Sequence, residues 1–302
     1  MPYRIRPDRS LLTEVRSVAR GELDKAIDIL KHKPEGLHPA IHAARKKFKR
    51  LRNLYRLVAT GDKSFHRREN ARLRDTARSL SRIRDAAALI ETVDHLSDHV
   101  LTDDEGETLA ATRKVLELRR DEIAATESDL EEKVTAAIDA CRAATEALDE
   151  LKLPSRPGHA ARLIARGWRK GLERAHEALE TCKGEGHGEA YHDLRKTSQA
   201  YWMNLSLVGD LWPSALHAKR EMAKRLVDLL GHEHDLTVLT ALLDHEPDLF
   251  GDGEGQSFLL AIIIRRQMEL RRDALTLAGT VFADAAKDEA AIIETLWLRA
   301  SA

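Results

Sequence analysis

Several things are scarce in this chain, and each scarcity excludes something. There are two cysteines, Cys141 and Cys182. Their spacing matches no metal-ligand pattern, so each reads as a small helix residue, and a reducing, cytoplasmic setting is expected. No run of eighteen apolar residues occurs, so no transmembrane helix is expected. The first residues, MPYRIRPDRSLLTEVRS, carry basic side chains but no unbroken apolar stretch or cleavage site, so no signal peptide is expected. Eight prolines and sixteen glycines in 302 residues leave helices little interrupted. Aromatic residues make up 4%, which leaves few platforms for stacking nucleic-acid bases. No alternating apolar and polar run marks a strand.

What the chain does have is helix formers. Leu, Ala, Arg, Glu and Lys dominate, apolar residues reach 43% and charged residues 33%. The length suits one large helical domain or two half-size units with a packed core. Helical periodicity is broken at HKPEG (32–36), TGD (60–62), TDDEGE (102–107), LPSRPG (153–158), KGEGHG (183–188), DLWPS (210–214) and HEPDLFGDGEG (245–255). LPSRPG reads as a linker between halves. The net charge of −1 hides a segregation. Residues 38–84 hold 15 Lys/Arg against 3 Asp/Glu, and residues 91–150 hold 6 against 18. A local basic field of this kind points to an anionic partner.

The halves are related. Ile-His-Ala-Ala-Arg-Lys at 41–46 pairs with Tyr-His-Asp-Leu-Arg-Lys at 191–196, an offset of 150. The same offset aligns Leu80 with Leu230, Asp85 with Asp235, Asp94 with Asp244 and His95 with His245. Ala19-Arg20-Gly21 pairs with Ala165-Arg166-Gly167, and Glu-Leu-Arg-Arg-Asp at 117–121 with 269–273. This register implies an internal duplication, with one repeat over about 1–152 and the other over about 158–302, each of roughly four helices.

On a helix through 38–58, Ile41, Ala44, Phe48, Leu51, Tyr55 and Val58 make the expected core stripe. His42, Arg45, Lys49, Arg52 and Arg56 make the stripe beside it, and Lys46 and Arg50 continue the basic surface. Like charges three and four residues apart repel, and this segment has almost no acids to relieve them. The next helix places Arg67, Arg74, Arg78 and Arg82 on one face, opposite Leu73, Leu80 and Ala87. Arginine offers a planar fork of donors suited to phosphate oxygens, and two facing basic helices make a groove. The second copy keeps His192, Arg195 and Lys196 but has Gln199, Ala200, Trp202 and Ser206 where the first has Lys49, Arg50, Arg52 and Arg56. Its following helix offers Arg220, Lys224 and His232, and Arg162, Arg166 and Arg169 form a row after the linker. The expected site is therefore asymmetric.

In IHAARKKFKRLRNLYRLV (41–58), YHDLRKTSQAYWMNLSLVGDLWP (191–213), Arg84-Asp85 and LLGHEHD (229–235), the chain resembles the CHAD family, the conserved histidine α-helical domain. The resemblance covers essentially the whole chain as a single domain. It implies an all-α fold of two four-helix bundles related by a pseudo-twofold axis, with a basic channel between them that binds inorganic polyphosphate. The family's histidines fall on His42 and His192. Its channel residues fall on Arg45, Lys46, Lys49, Arg50 and Arg52, with Arg195 and Lys196 in the second copy. Some relatives carry a triphosphate-tunnel catalytic domain with a Glu-x-Glu-x-Lys signature. Neither that signature nor its strands occur here, so a binding protein and not an enzyme is expected, with no cofactor or metal, no membrane and no obligate protein partner. Polyphosphate granules are a candidate location.

Two other readings compete. Nucleic-acid backbone binding uses similar phosphate contacts but lacks aromatic platforms here. An all-α metal-dependent phosphohydrolase could ligate an ion through His232, His234 and Asp235, with His192 brought in by folding. The repeat places Arg82, Arg84 and Asp85 at the equivalent positions, so two of those ligands are not shared.

Overall fold

The computed structural model describes residues 3–80, 82–126, 129–184 and 188–301, with the backbone alone for residues 82–85. The described residues form helices, short 3-10 turns and connections, with no strand among them. The first half contributes α1 (Leu11–His32), α2 (Leu37–Leu57), α3 (Lys63–Ser79), α4 (Arg82–Ser97), α5 (Asp103–Thr126) and α6 (Leu130–Ala147). The second contributes α7 (Pro157–Gly184), α8 (Gly188–Leu207), α9 (Pro213–His245), α10 (Gly253–Val281) and α11 (Ala286–Ala300). None of the helices is long and apolar enough to cross a membrane, among the described residues.

The predicted stripe of α2 is the packed one: Ile41, Ala44, Phe48, Leu51, Tyr55 and Val58 are all buried. That face meets α1, and α1 in turn packs on α6. In the second half α7 packs on α8 and α11, and α8 on α9. Neither apolar core is confined to one half. The larger core runs from Leu11 and Phe48 through Trp168 to Trp297. The smaller joins α4 and α5 to the distal parts of α9 and α10, through Leu89, Val93, Leu116, Leu239 and Ile263. Burying these side chains is worth about 1.5–3 kcal/mol each before chain entropy is set against it.

Two details position the cavities described below. α7 approaches α2 so closely that a Cβ on Gly167 would lie 1.9 Å from the Leu57 carbonyl oxygen, so only glycine fits there. Asp62 caps α3: its carboxylate accepts from the Phe65 amide at 3.1 Å and the Ser64 hydroxyl at 2.8 Å. The same carboxylate accepts from the Lys152 amide at 3.1 Å, which ties the linker to the first half.

The helix boundaries differ from the sequence reading in two places. Residues 67–87 read as one helix, but α3 ends at Ser79 and α4 begins at Arg82. The aligned stretch of the second half is uninterrupted in the 33-residue α9. The acidic TDDEGE is the start of α5, not a break: Glu105 accepts from the Leu101 amide and pairs with Arg265. Acids in a first turn are favoured by the helix dipole. Trp212, expected at core spacing, is 49% exposed.

Candidate polyanion site

The basic stripe of α2 follows a groove between the halves. Its N-terminal part opens into a cavity of about 450 Å³ lined by His42, Arg45, Lys46 and Lys49 of α2, Ala88, Leu89 and Thr92 of α4, Arg195 of α8, and His234, Asp235 and Val238 of α9. Four helices thus converge on it. Lys49 is open to water in the cavity but walled by the other three helices. Poor solvation, with Arg195 and Arg45 nearby, brings its ammonium down to about 8. Burial likewise lowers the Arg195 guanidinium, which Asp235 opposes. Asp235 lies in the same cavity, where its charge partly offsets the lowering of both Lys49 and Arg195. The His234 ring stacks on His192 at 4.7 Å between centroids. Burial, then Arg195 and His192, lowers the His234 imidazole to about 4. His192 is also lowered, by burial and then Lys196 and Arg195. The buried Nδ1 of His192 has no hydrogen-bond partner among the described residues.

From this cavity the stripe continues along the seam between α2 and α3. Arg45 donates to the Ala77 carbonyl at 3.3 Å and Arg52 donates to the Asn70 side chain at 2.9 Å. Burial and the neighbouring Arg74 lower the Arg52 guanidinium.

The seam ends in a second cavity of about 460 Å³, framed by α2, α3, α7 and α8. Its basic lining is Arg56, Lys63, Arg67, Arg74, Lys170 and Arg174, with the His66 imidazole among them, and no carboxylate lines it among the described residues. Burial, then Arg56, Arg174 and Arg52, lowers the His66 imidazole. Arg56 is lowered by burial, Arg52 and Arg174. At its base the buried Asn53 donates to Asn204 at 2.8 Å across the α2–α8 crossing. Among the described residues, no carboxylate lies within ion-pair distance of Arg45, Lys46, Lys49, Arg56, Lys63, Arg67, Lys170, Arg174 or Arg195.

The remaining expected residues lie elsewhere. Arg50 turns to α1, where it pairs with the buried Glu22 at 3.3 Å and lies over the Tyr3 ring. Two positions from Arg52 on a helix, it points about 200° away. Lys196 pairs with Asp193, Lys224 with Asp228, and Arg220 with Glu221, all at 3.1 Å or less. Arg220 lines a separate depression with Arg4, Asp210 and His217. Arg74 lines the second cavity but pairs with its neighbour Asp75 at 2.8 Å. Arg78 is exposed at the end of α3, and Arg166 is exposed one turn before Lys170. The Arg82 side chain lies outside the described residues, as do those of Arg84 and Asp85. Sequence reading missed Lys63, His66, Lys170 and Arg174. The available signal was Gly167 and Gly171 interleaved with Lys170 and Arg174, since glycine inside a helix often marks close approach of another backbone.

The chelate expected of a phosphohydrolase does not assemble. His232 and His234, two apart on α9, point different ways: His232 stacks on His95 at 3.7 Å while His234 stacks on His192. Among the described residues no group of three or more His, Cys, Asp or Glu is arranged to hold a metal ion. The His232–His95 contact borders a smaller cavity of about 250 Å³ that shares Thr92 and Asp235 with the first.

A family model described as the CHAD domain matches residues 23–244. No curated protein matches the chain. Among solved structures, the crystal structure of the CHAD domain from the plant Ricinus communis is similar, with a TM-score of 0.66 at 18% identity, over 93% of this chain and 94% of that one.

Proposed function

This chain belongs to the CHAD domain family, and from that premise we propose that it binds inorganic polyphosphate, without turning it over, in the basic groove along α2. The observation that carries the reading is the convergence of Arg45, Lys46, Lys49 and Arg195 on one cavity where, among the described residues, Asp235 is the one carboxylate. Cations brought together without matching carboxylates raise each other's electrostatic energy, and a polyanion relieves it. Polyphosphate fits better than nucleic acid because no Phe, Tyr or Trp lines either basic cavity, so bases find nothing to stack on. A slim chain of phosphates also enters a gap between helices that a duplex cannot.

The groove is the channel between two related halves. Supporting this, the α2–α8 crossing is bridged by Asn53 and Asn204. The N-terminal segment of the first half also reaches the second: the Ile5 amide donates to the Leu207 carbonyl and Arg4 pairs with Asp210. We assign the protein to the cytoplasm, with polyphosphate granules as a place of association. Titration with long-chain polyphosphate, with RNA and DNA as competitors at equal phosphate concentration, tests the reading. Polyphosphate should win, and equal displacement by nucleic acid would overturn it.

A further inference from the structure

The groove has two cationic cavities, not one, and they share no lining residue. Arg45, at the first, and Arg56, at the second, are separated along α2 by about 16 Å at 1.5 Å per residue. The surface between them is not neutral: Arg52, held by Asn70, bridges the gap. The second cavity gathers Arg56, Lys63, Arg67, Lys170 and Arg174 around His66, and these five cations have no carboxylate partner among the described residues.

The two cavities also differ in kind. The first contains Asp235 and the stacked His192–His234 pair, so its field is moderated. The second contains no acid among the described residues, and its far wall is α7, held against α2 by the Gly167 contact. A compact anion can fill either cavity. Only a long anion can occupy both at once, by lying along the α2–α3 seam over Arg52. A duplex cannot follow this path, because the cavities are enclosed between helices.

Resting on the polyphosphate reading, we infer that the protein measures chain length: a linear condensed phosphate binds bivalently, one segment in each cavity, and chains too short to span them bind one cavity at a time. Joining two weak sites through one ligand makes the second contact intramolecular, so affinity should rise steeply once the chain spans the gap. Before that length it should change little per phosphate.

Calorimetric titration of the full chain with tripolyphosphate and with size-fractionated longer polyphosphates tests this. The wild type should take two equivalents of tripolyphosphate weakly and fewer equivalents of long chain tightly. Lys170→Ala with Arg174→Ala changes two exposed α7 side chains with no ion-pair partner, so the helical circular dichroism should stay unchanged. This variant should lose roughly 100-fold or more in long-chain affinity, the low end of the gain from linking two sites. It should still bind one equivalent of tripolyphosphate at wild-type strength. Affinity that grows smoothly with length in the wild type, or a variant that holds long chains as tightly as the wild type, overturns bivalency and leaves the polyphosphate reading standing. No heat with any condensed phosphate overturns both. Lys49→Ala with Arg195→Ala, which empties the first cavity of two cations, should reverse the pattern by sparing tripolyphosphate at the second cavity.

Discussion

Polyphosphate affinity should strengthen as pH falls, and His234 should account for most of the slope below neutrality. The imidazole is lowered from 6.5 to about 4 by burial and by the cations around it. The groups facing it are His192, Arg195 and Lys196 on α8, Lys49 on α2 and Asp235 on its own helix. A phosphate chain in the cavity screens Arg195 and Lys49, which line it, so the bound-state pKa moves up from about 4. A group whose pKa rises on binding takes up a proton with the ligand, and binding strengthens as pH falls from the bound value toward the free one. Full restoration to 6.5 would raise affinity roughly 30-fold between pH 7.5 and pH 5 from this group alone; burial, the largest cause of the lowering, persists in the complex, so the rise is smaller than that bound. Internal phosphates of the chain stay ionised over this range, so the ligand does not supply the slope. The free protein behaves in the opposite sense. A histidine lowered by folding costs stability as pH falls below 6.5, because the unfolded chain binds the proton more readily. Thermal shift at several pH values, with and without polyphosphate, should therefore show a ligand-induced gain that grows toward acid. Calorimetry at constant ionic strength for wild type and His234→Gln gives the slope directly. A slope unchanged in His234→Gln refutes the reasoning, as does affinity that weakens toward acid in the wild type.

Three further outcomes follow from the geometry. Charge reversal at Arg45, Lys49 and Arg52 should abolish binding with the helical circular dichroism retained, whereas Lys196→Glu and Lys224→Glu should change affinity by less than about threefold, since those ammonium groups already pair at the exposed surface; equal losses in a competition assay would defeat this. Gly167→Ala should destabilise the fold by about 3 kcal/mol or more, at or beyond the upper end of overpacking costs, because the new methyl meets the Leu57 backbone and not a movable side chain; denaturant unfolding measures it, and a loss under 1 kcal/mol would show that α7 moves away freely. Asp62→Ala should cost about 1 kcal/mol through loss of the α3 cap, with the second cavity's affinity for tripolyphosphate falling as α3 frays.

The α2 helix was legible because its two stripes, apolar and basic, keep strict helical spacing, and the core stripe is buried as read. The offset of 150 brought out His192 and Arg195 in the same way, and both stand near the first cavity. What one sequence does not carry is which remote acid reaches which base. Arg50 looks like its basic neighbours until Glu22 of α1 is beneath it. Arg220 and Lys224 look like site residues until their own turns supply Glu221 and Asp228. The interruption between α3 and α4 is hidden because Leu80 and its neighbours fit a continuous helix, and the aligned residues of α9 form one. The contribution of α7 was misassigned to the row of Arg162, Arg166 and Arg169. The face that meets α2 is marked by the absence of side chains at Gly167 and Gly171, which a search for charge passes over.

The separation of charge along the chain has a kinetic consequence. The acids concentrated between residues 91 and 150 belong largely to α5 and α6, and no residue of either helix lines the two basic cavities. In a molecule of net charge −1 the groove is thereby locally basic, and a diffusing polyanion is attracted there and repelled by the acidic stretches of α5 and α6. Encounters begin oriented, with the ligand delivered to the groove instead of searching the surface. The association rate, more than the dissociation rate, should then carry the dependence on ionic strength.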